Sequence, residues 1–305
     1  MINKNKNIAI GIDLGGTNIK GVLVTADGDI IKQLSRATDD TREESRNTWK
    51  ETVRDMLAEL NQGTTPVPTG LSAPGIPDQN HKAIAHMPGR LHGLEGFTWE
   101  EHLDQPEVWV LNDAHSALMA EAAFGAGKGI KNLILLTLGT GVGGGILIDG
   151  KIYTGHYGMA GHLGHVTIDA DSDYPDCTQL PGSLEDAISE KTLSRRTMGR
   201  YHTTKGLVEA HLAGDTLATY FWLHSVKRFA VGLCGLCNAI SPEMILLGGG
   251  ISKAKEALFE PLEEFMSLYE WRPGKKQTTI APAQFSEYAG AIGAAAFALS
   301  KTIDK

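Results

Sequence analysis

The chain opens with short apolar runs that glycine and aspartate interrupt. Residues 8–12 form an isoleucine-rich run that predicts a buried strand, and residues 19–25 alternate apolar and polar positions as a second strand does. Asp27 and Gly28 form a dipeptide that favours a β-hairpin turn, and residues 30–34 then predict a third strand. The first forty residues therefore predict three successive strands joined by tight turns.

The same order of strand, glycine turn, strand and Asp-Gly turn recurs near residue 140, which predicts a structural repeat across two domains. Residues 125–129 are the clearest candidate boundary between the domains. The C-terminal helix is rich in small residues, so we expect it to pack closely against a strand. Periodicity predicts helices over 41–60, 113–124, 216–239 and 288–299, and strands over 67–71, 108–111, 133–138, 146–148 and 244–247.

Composition and charge narrow the possible functions. The 305 residues are 42% hydrophobic, which allows a full core, and the formal net charge of −8 without a basic cluster argues against nucleic acid as a main partner. An odd count of three cysteines indicates a reducing compartment rather than a disulfide framework. We find no signal-peptide pattern and no apolar run long enough to cross a membrane, so we expect a cytoplasmic protein.

Two glycine-rich turns carry the chemistry of anion binding. Glycines let backbone N–H groups approach a phosphate, and a carboxylate at a strand end can hold a hydrated Mg²⁺. The alternative for the first turn is an ordinary hairpin with an acidic residue, and the alternative for the second is a flexible turn. The two turns are Asp13-x-Gly15-Gly16-Thr17-Asn18-x-Lys20 and Gly139-Thr140-Gly141-Val142-Gly143-Gly144-Gly145, and Gly248-Gly249-Gly250 after a buried strand is a weaker candidate for lying under an adenosine.

Asn112 and Asp113 follow a predicted strand and open a predicted helix. A carboxylate at such a corner can accept a proton from an attacking hydroxyl during phosphoryl transfer. Asparagine and aspartate are also good helix N-caps, so a purely structural role stays open on the residues alone.

Taken together, these motifs resemble the ROK family (repressors, open reading frames, kinases) over about residues 8 to 299. The resemblance implies an α/β, actin-like ATPase (ribonuclease H-like) fold, with two domains that each contain a mixed β-sheet flanked by helices. We place a smaller N-terminal domain at 1–116 plus 288–305 and a larger one at 117–287, with the active site in the cleft between them. Besides the two turns, the residues that carry the resemblance are Asn112-Asp113-Ala114, Ala160-Gly161-x-x-Gly164-His165 and Leu247-Gly248-Gly249-Gly250-Ile251-Ser252.

The resemblance implies an ATP-dependent sugar kinase that uses Mg²⁺, with a sugar and ATP as small-molecule partners and a possible homodimer. Asp113 would be the general base, and Asp13 would position Mg²⁺ through water. Glucose is the expected acceptor. The alternatives are that the protein is a kinase for another sugar, such as an N-acetylhexosamine, or a sugar-binding protein without catalytic activity. The implied sugar-binding residues are Asn112, Gly75, His162, His165 and Glu185, and the implied ATP-binding residues are Asp13, Gly15, Gly16, Thr17, Asn18, Lys20, Gly139, Thr140, Gly141, Gly249 and Gly250.

The chain departs from the family pattern at several positions. His162 stands where the family usually has a sugar-binding glutamate, and histidines also occupy positions 86 and 115. Three interpretations stay open: each histidine keeps a hydrogen bond to a hydroxyl, the histidines change the sugar preference, or they hold a metal. The cysteines of the family's zinc motif are replaced by Asp176, Thr178 and Ser183, with Cys177 out of register, so we expect no structural zinc.

Two further readings follow from position in the chain. Cys234 and Cys237 lie in a long apolar helix, where core packing is the expected role of both thiols. ROK repressors carry an N-terminal helix-turn-helix before the kinase-like core. Asp13 is almost at the start of this chain, so we do not expect a repressor.

Overall fold

The computed structural model describes residues 8–39, 48–61, 66–87, 91–176 and 178–303. Contacts divide the chain into two units of nearly equal length. Unit 1 comprises Met1–Gly129, Thr154–Met159 and Phe285–Lys305, and unit 2 comprises Ile130–Tyr153 and Ala160–Gln284. Within the described ranges, no helix is both long enough and apolar enough to cross a membrane.

Unit 1 is built on a five-stranded sheet in the order β3-β2-β1-β4-β7. Strands β1, β2 and β3 pair antiparallel, whereas β1, β4 and β7 pair in parallel. The described elements are β1 (Ile8–Leu14), β2 (Asn18–Thr25), β3 (Ile30–Ala37), α1 (Thr48–Asn61), β4 (Thr69–Ala73), β5 (Ile76–Pro77), β6 (Ile84–His86), α2 (Trp99–Leu103), β7 (Val108–Asn112), α3 (Asp113–Phe124) and, after unit 2, α9 (Ala289–Ile303).

The two faces of β1 explain the layers of unit 1. Ile10, Ile12 and Leu14 share one core cluster with Trp49 and other residues of α1, while Ala9 belongs to the cluster formed with α9. Side chains alternate across a strand, so the large residues face α1 and the small ones face α9. The predicted helix start at residue 41 lies outside the described residues.

Helix α9 lies so close to the sheet that glycine is required beneath it. A Cβ atom at Gly11 would collide with the backbone of Ala291, and one at Gly70 would collide with the backbone of Ala294. The expected close packing of the C-terminal helix on a strand is therefore confirmed.

Unit 2 repeats the architecture of unit 1. Its sheet has the order β10-β9-β8-β11-β12, with β8, β9 and β10 antiparallel and β8, β11 and β12 parallel. The strand order matches that of unit 1, as the predicted repeat requires. The described elements are β8 (Leu133–Leu138), β9 (Val142–Ile148), β10 (Lys151–Ile152), α4 (Leu184–Ile188), α5 (Glu190–Arg196), α6 (Thr204–Leu212), α7 (Thr216–Ile240), β11 (Met244–Gly248), α8 (Glu256–Tyr269), β12 (Thr279–Pro282) and short 3₁₀ helices at Leu163–His165, Ile251–Ala254 and Pro273–Lys275.

Two sequence-based boundaries need correction. The domain boundary placed at residue 116 falls inside α3, but this helix packs along its length against α9, so residues 117–124 belong to unit 1. The turn predicted over 139–145 is shorter, because Gly143 and Gly144 pair with β8 as part of β9. Gly144 also lies against the backbone of Gly161, a close approach that leaves no room for a side chain.

Candidate active site

In unit 1, the parallel strands β1, β4 and β7 bring polar residues to one edge of the sheet. Asp13 near the end of β1 pairs with Ser72 of β4, and the next residue of β4 pairs with Asn112 at the end of β7. Asp113 follows immediately as the first residue of α3. The predicted metal residue Asp13 and the predicted base Asp113 are thus brought together, because carboxyl ends of parallel strands share an edge.

The Asp13 carboxylate is half-buried and hydrogen-bonded. The Ser72 hydroxyl donates to Asp13 Oδ1 over 2.6 Å. The pKa of Asp13 is raised to about 6, mainly by burial and further by the charge of Asp113. The Ser72 hydrogen bond and the charge of Lys20 act in the opposite direction and limit the rise. A group that titrates near pH 6 beside a second carboxylate is typical of a functional site.

Asn112, rather than Asp113, occupies the N-cap position of α3. Its Oδ1 accepts hydrogen bonds from the N–H groups of Ala114 and His115, while its Nδ2 donates to the carbonyl of Gly75 over 2.9 Å. Two predicted sugar-binding residues, Asn112 and Gly75, are therefore bonded to each other. Asp113 is exposed in the first turn of the helix, and its Oδ1 accepts a hydrogen bond of 2.8 Å from Ala114 N–H.

The turn between β1 and β2 is held by its own backbone and by Thr38, the residue that follows β3. Gly15 N–H donates to the Asn18 carbonyl, and the Thr38 hydroxyl donates to the Gly15 carbonyl over 2.7 Å. Thr17 and Asn18 are exposed and Gly16 is partly exposed. Four of the predicted phosphate-binding residues (Gly15, Gly16, Thr17 and Asn18) thus form one ordered turn.

Lys20 points toward the segment that precedes α9. Its Nζ donates to the Glu287 carbonyl over 3.0 Å and lies 5.4 Å from the centre of the Tyr288 ring. It pairs across the strands with Asp13, and its positive charge lowers the pKa of that carboxyl. Lys20 therefore contributes to the electrostatics of Asp13.

In unit 2, Glu185 is attached to the second glycine turn. This carboxylate is almost fully buried, and its Oε2 accepts a hydrogen bond of 3.0 Å from Val142 N–H. Its Oε1 is buried with no hydrogen-bond partner among the described residues. A Cβ atom at Gly141 would come within 2.5 Å of Oε2. Glu185 thus has one oxygen on the turn and one that is left to accept a further hydrogen bond.

The start of α5 holds the other side of the same turn. Glu190 N–H donates to the Gly139 carbonyl over 2.9 Å, and Lys191 N–H donates to the Thr140 carbonyl over 3.1 Å. The first N–H groups of a helix have no acceptor within the helix. Here two carbonyl groups of the turn are the acceptors for two of these N–H groups. The conformation of the turn therefore depends on α5.

A cavity of about 760 Å³ in unit 2 brings three predicted ATP-binding residues together, namely Gly139, Thr140 and Gly250. The neighbouring Gly249 has a φ of +88° and lies against the backbone of Leu138, so only glycine fits there. Sequence reasoning predicted neither α5 nor α6, so it missed the lining residues that these helices supply. They are Glu190, Thr204, Lys205, Val208, Glu209 and Leu212, and the 3₁₀ helix after Gly250 adds Ile251, Lys253 and Ala254.

His162 and His165 lie at the start and the end of a 3₁₀ turn in unit 2. His165 Nδ1 is 3.0 Å from Asp176 Oδ2, and the other oxygen of Asp176 accepts from Thr178 and from Leu180 N–H. Burial on its own raises the pKa of Asp176, but the hydrogen bonds from His165 and Thr178 outweigh it and lower this pKa to about 2. An ionised Asp176 therefore orients His165.

The positions of the family's zinc cysteines carry hydrogen bonds instead. Asp176 and Thr178 bond to each other, and Ser183 caps α4 by accepting from Asp186 N–H. Cys177 lies outside the described residues. Among the residues that are described, no group of three or more His, Cys, Asp or Glu side chains has the arrangement of a metal site.

The other two unusual histidines differ in environment. His115 is fully buried in α3, whereas His86 is exposed, with its Nδ1 3.5 Å from Glu95 Oε1. Both Cys234 and Cys237 are buried thiols in α7, and burial raises their pKa values to about 12 and about 11. The core-packing role expected for the two cysteines agrees with this burial.

Comparison with known proteins gives a consistent result. A model of the ROK family matches residues 9–301. A glucokinase from Thermotoga maritima is 30% identical over 306 residues, which cover 94% of this chain and 95% of the relative. These matches confirm the family resemblance.

Solved structures match over nearly the whole chain. A ROK hexokinase from Thermus thermophilus aligns with a TM-score of 0.85 and 28% identity, covering 98% of this chain and 100% of that chain. A ROK family glucokinase from Streptomyces griseus, in complex with glucose and AMPPNP, aligns with a TM-score of 0.75 and 26% identity, covering 95% and 98%. The predicted α/β actin-like fold class is confirmed.

Proposed function

The chain belongs to the ROK family, and from that premise we propose that it is an ATP-dependent sugar kinase with Asp113 as its general base. The observation that carries the proposal is the shared sheet edge of unit 1, where Asp113 begins α3 and influences the pKa of Asp13. Glucokinase relatives support the reaction class, and the structure with glucose and AMPPNP supports the pair of substrates.

In the proposed reaction, Asp113 accepts the proton of the sugar hydroxyl as the hydroxyl oxygen bonds to the γ-phosphorus of ATP and the bond to ADP breaks. A carboxylate suits this role because the hydroxyl becomes acidic only as it attacks. Asp113 is exposed, and Asn112 beside it carries the capping of α3. The Asp113 carboxylate also accepts a hydrogen bond of 2.8 Å from Ala114 N–H through its Oδ1.

Asp13 fits the role of a residue that holds Mg²⁺ through water. It offers carboxylate oxygens, the ligands that Mg²⁺ prefers, and a nearby cation would offset the burial and the Asp113 charge that raise its pKa. When bound, Mg²⁺ neutralises charge on the phosphate oxygens of ATP. Ser72 would keep the carboxylate in one orientation.

The remaining predicted residues are proposed to bind the two substrates. The turn of Gly15, Gly16, Thr17 and Asn18 in unit 1 and the turn of Gly139, Thr140 and Gly141 in unit 2 would bind phosphates through backbone N–H groups. Gly249 and Gly250 would pass beneath the adenosine, in agreement with the cavity that Gly250 lines. Lys20 would act mainly through its charge near Asp13.

Glu185 and His165 are the best supported of the proposed sugar ligands. Glu185 has a buried oxygen that lacks a partner among the described residues, and His165 is oriented by Asp176. Asn112, Gly75 and His162 complete the proposed set. Asn112 and Gly75 would act together, because the hydrogen bond between them fixes both.

The test is a comparison of Asp113→Asn with Asp55→Asn, which changes an exposed carboxylate on α1. We expect the Asp113 variant to lose roughly 10²–10⁴-fold in turnover, the usual contribution of a general base, while sugar affinity and melting temperature stay near those of the parent. The Asp55 variant should match the parent protein. Normal turnover by the Asp113 variant would show that another group is the base.

Glucose is the proposed acceptor. ADP release measured against a panel of hexoses, N-acetylhexosamines and polyols would rank the substrates. Sugar binding without ADP release by the parent protein would instead support the idle sugar-binding alternative. The cytoplasmic location and the homodimer stay predictions.

A further inference from the structure

A second cavity of unit 2, of about 820 Å³, lies among α4, α5, α7 and the loop at 168–174. It shares no lining residue with the cavity at Gly139 and Thr140. Its walls carry the cations Arg195, Arg196, Lys227 and Arg228, together with His224. None of these residues has a part in the proposed reaction.

Two of the four cations are neutralised by carboxylates. Arg195 pairs with the buried Asp186, and Arg228 Nη2 lies 3.1 Å from Asp169 Oδ2 and 3.5 Å from Asp186 Oδ2. The Arg195 guanidinium carbon also lies over the Tyr174 ring, 4.3 Å from its centre. These contacts fix both guanidinium groups in the cavity wall.

Arg196 has only neutral partners. Its three nitrogens donate to the Thr192 hydroxyl, the Ser225 hydroxyl and the Ser189 carbonyl. Within the described residues, no carboxylate lies at ion-pair distance from Arg196 or Lys227. A guanidinium has five N–H groups in a planar fork, so Arg196 keeps donors for a ligand in the cavity.

The cavity lining carries four carboxylates beside its four cations, and the positive charges are concentrated around Arg196. Burial, together with the charges of Arg228 and Arg195, lowers the pKa of Arg196 to about 9. Burial also lowers the pKa of His224, as do Arg228, Lys227 and Arg196, while only Asp169 acts against them. Asp171 and Asp173 line the same cavity and, like Lys227, are exposed, so solvent screens these three charges, whereas Arg196 is more deeply buried.

We propose that this cavity binds a phosphate-bearing small molecule, held by Arg195, Arg196, Lys227 and Arg228. Two cations without carboxylate partners match the charge of a phosphate dianion, and arginine forks match its oxygen geometry. The site is connected to the proposed active site through α5, which ends at Arg196 and whose first N–H group holds the Gly139 carbonyl. A ligand here is therefore placed to act as an effector of the kinase.

The experiment is a calorimetric titration of the full chain with inorganic phosphate and with pyrophosphate. It compares Lys227→Glu with Lys276→Glu, an exposed lysine of unit 2 outside the cavity, and with Thr140→Glu, which places the same new charge at the proposed ATP turn. We expect Lys227→Glu to weaken anion binding by about tenfold or more, as expected for loss and reversal of a phosphate contact. Lys276→Glu and Thr140→Glu should keep this binding.

Three outcomes would overturn the proposal. The first is that the parent protein binds neither anion. The second is that the Lys227 variant binds the anions as tightly as its Lys276 control. The third is that binding is lost only in the Thr140 variant, which would place the anion at the ATP turn. Sedimentation of each variant adds a check. A change of assembly state in Lys227→Glu without anion binding by the parent would assign the cavity to a second copy of the chain. These results do not depend on turnover, so they are separate from a failure of the proposed kinase activity.

Discussion

The hydroxyl of Ser72 donates a hydrogen bond of 2.6 Å to the carboxylate of Asp13 from the neighbouring parallel strand. A hydrogen bond to an ionised carboxylate stabilises the charged form, so it offsets part of the cost of burying that charge. Ser72 was not among the residues singled out from the sequence. It is a positioning residue for Asp13, and its effect on the Asp13 pKa can be measured.

Ser72→Ala should shift the acid limb of the pH profile upward. The proposed role of Asp13 needs the ionised form, so activity should fall as the pH falls through its pKa of about 6. Loss of the stabilising hydrogen bond raises this pKa further, and the limb moves to higher pH. The profile of kcat/KM against pH checks this, with Ser300→Ala as a control that loses a serine hydrogen bond in α9. An unchanged limb in Ser72→Ala would contradict the assignment.

Asp13→Asn should stabilise the protein while it abolishes activity. The folded-state pKa is raised from 3.8 to about 6, so the folded protein binds the proton more tightly than the unfolded chain. Ionised Asp13 therefore lowers the free energy of unfolding progressively as the pH rises from about 4 to about 6, by at most about 3 kcal/mol. Denaturant unfolding at several pH values should show the variant and parent equally stable at low pH and diverging through this window. A constant difference would exclude titration of Asp13 as the cause.

The fold could be predicted from the sequence where one local signal was strong. Helix α3 begins and ends as predicted, because the Asn112 cap and Gly125 limit it. Helices α4, α5 and α6 were not predicted, because they are only five to nine residues long and show little apolar periodicity. Gly143 and Gly144 were assigned to a turn because glycine has no side chain that favours a strand. Their conformation is decided by pairing with β8, which the local sequence does not report.

The candidate site was predictable only where chain order implies proximity. The carboxyl ends of parallel strands lie at the same edge of a sheet, so Asp13 and Asp113 could be expected to lie close together. The partners of Asp176 and Glu185 depend on contacts between residues 11 and 43 positions apart, which no local pattern reports. The family motif predicted the positions of both residues but not the hydrogen bonds that replace the cysteine pattern.

Asp176→Asn should change the tautomer of His165. An Asn amide can donate to Nδ1 but its nitrogen cannot accept, so the imidazole proton is expected to move from Nδ1 to Nε2. Nitrogen NMR of the imidazole reports this directly, and the KM for sugar should rise more than kcat falls. Asp171→Asn, at an exposed carboxylate in the same loop, is the control. An unaltered tautomer would show that Asp176 does not orient His165.

The same variant should lose stability at neutral pH. The folded-state pKa of Asp176 is lowered from 3.8 to about 2, so its ionised form stabilises the fold above pH 3.8 and loses this effect as the pH falls toward 2. The expected loss in Asp176→Asn is about 2 kcal/mol at pH 7 and smaller near pH 2. Urea unfolding at both pH values tests the dependence. A loss that did not shrink at low pH would indicate a packing effect instead.

Gly139→Ala and Gly141→Ala separate two reasons for glycine in the unit 2 turn. A Cβ at position 139 meets no atom within 4 Å, so this variant should fold normally and show a higher KM for ATP if the backbone N–H groups approach phosphate. A Cβ at position 141 lies against Glu185 Oε2, so that variant should be less stable and should bind sugar more weakly. Loss of the buried hydrogen bond between Glu185 and Val142 would cost about 1–3 kcal/mol.

Combining Gly141→Ala with Glu185→Asp decides whether the contact between these two positions is the cause. Shortening the side chain by one methylene makes room for the new Cβ, so the two changes together should cost less stability than the sum of the single changes. Thermal unfolding of the four proteins gives the interaction energy, with Gly139→Ala plus Glu185→Asp as the additive reference. Strict additivity at position 141 would mean that the contact with Glu185 is not the reason for glycine at this position.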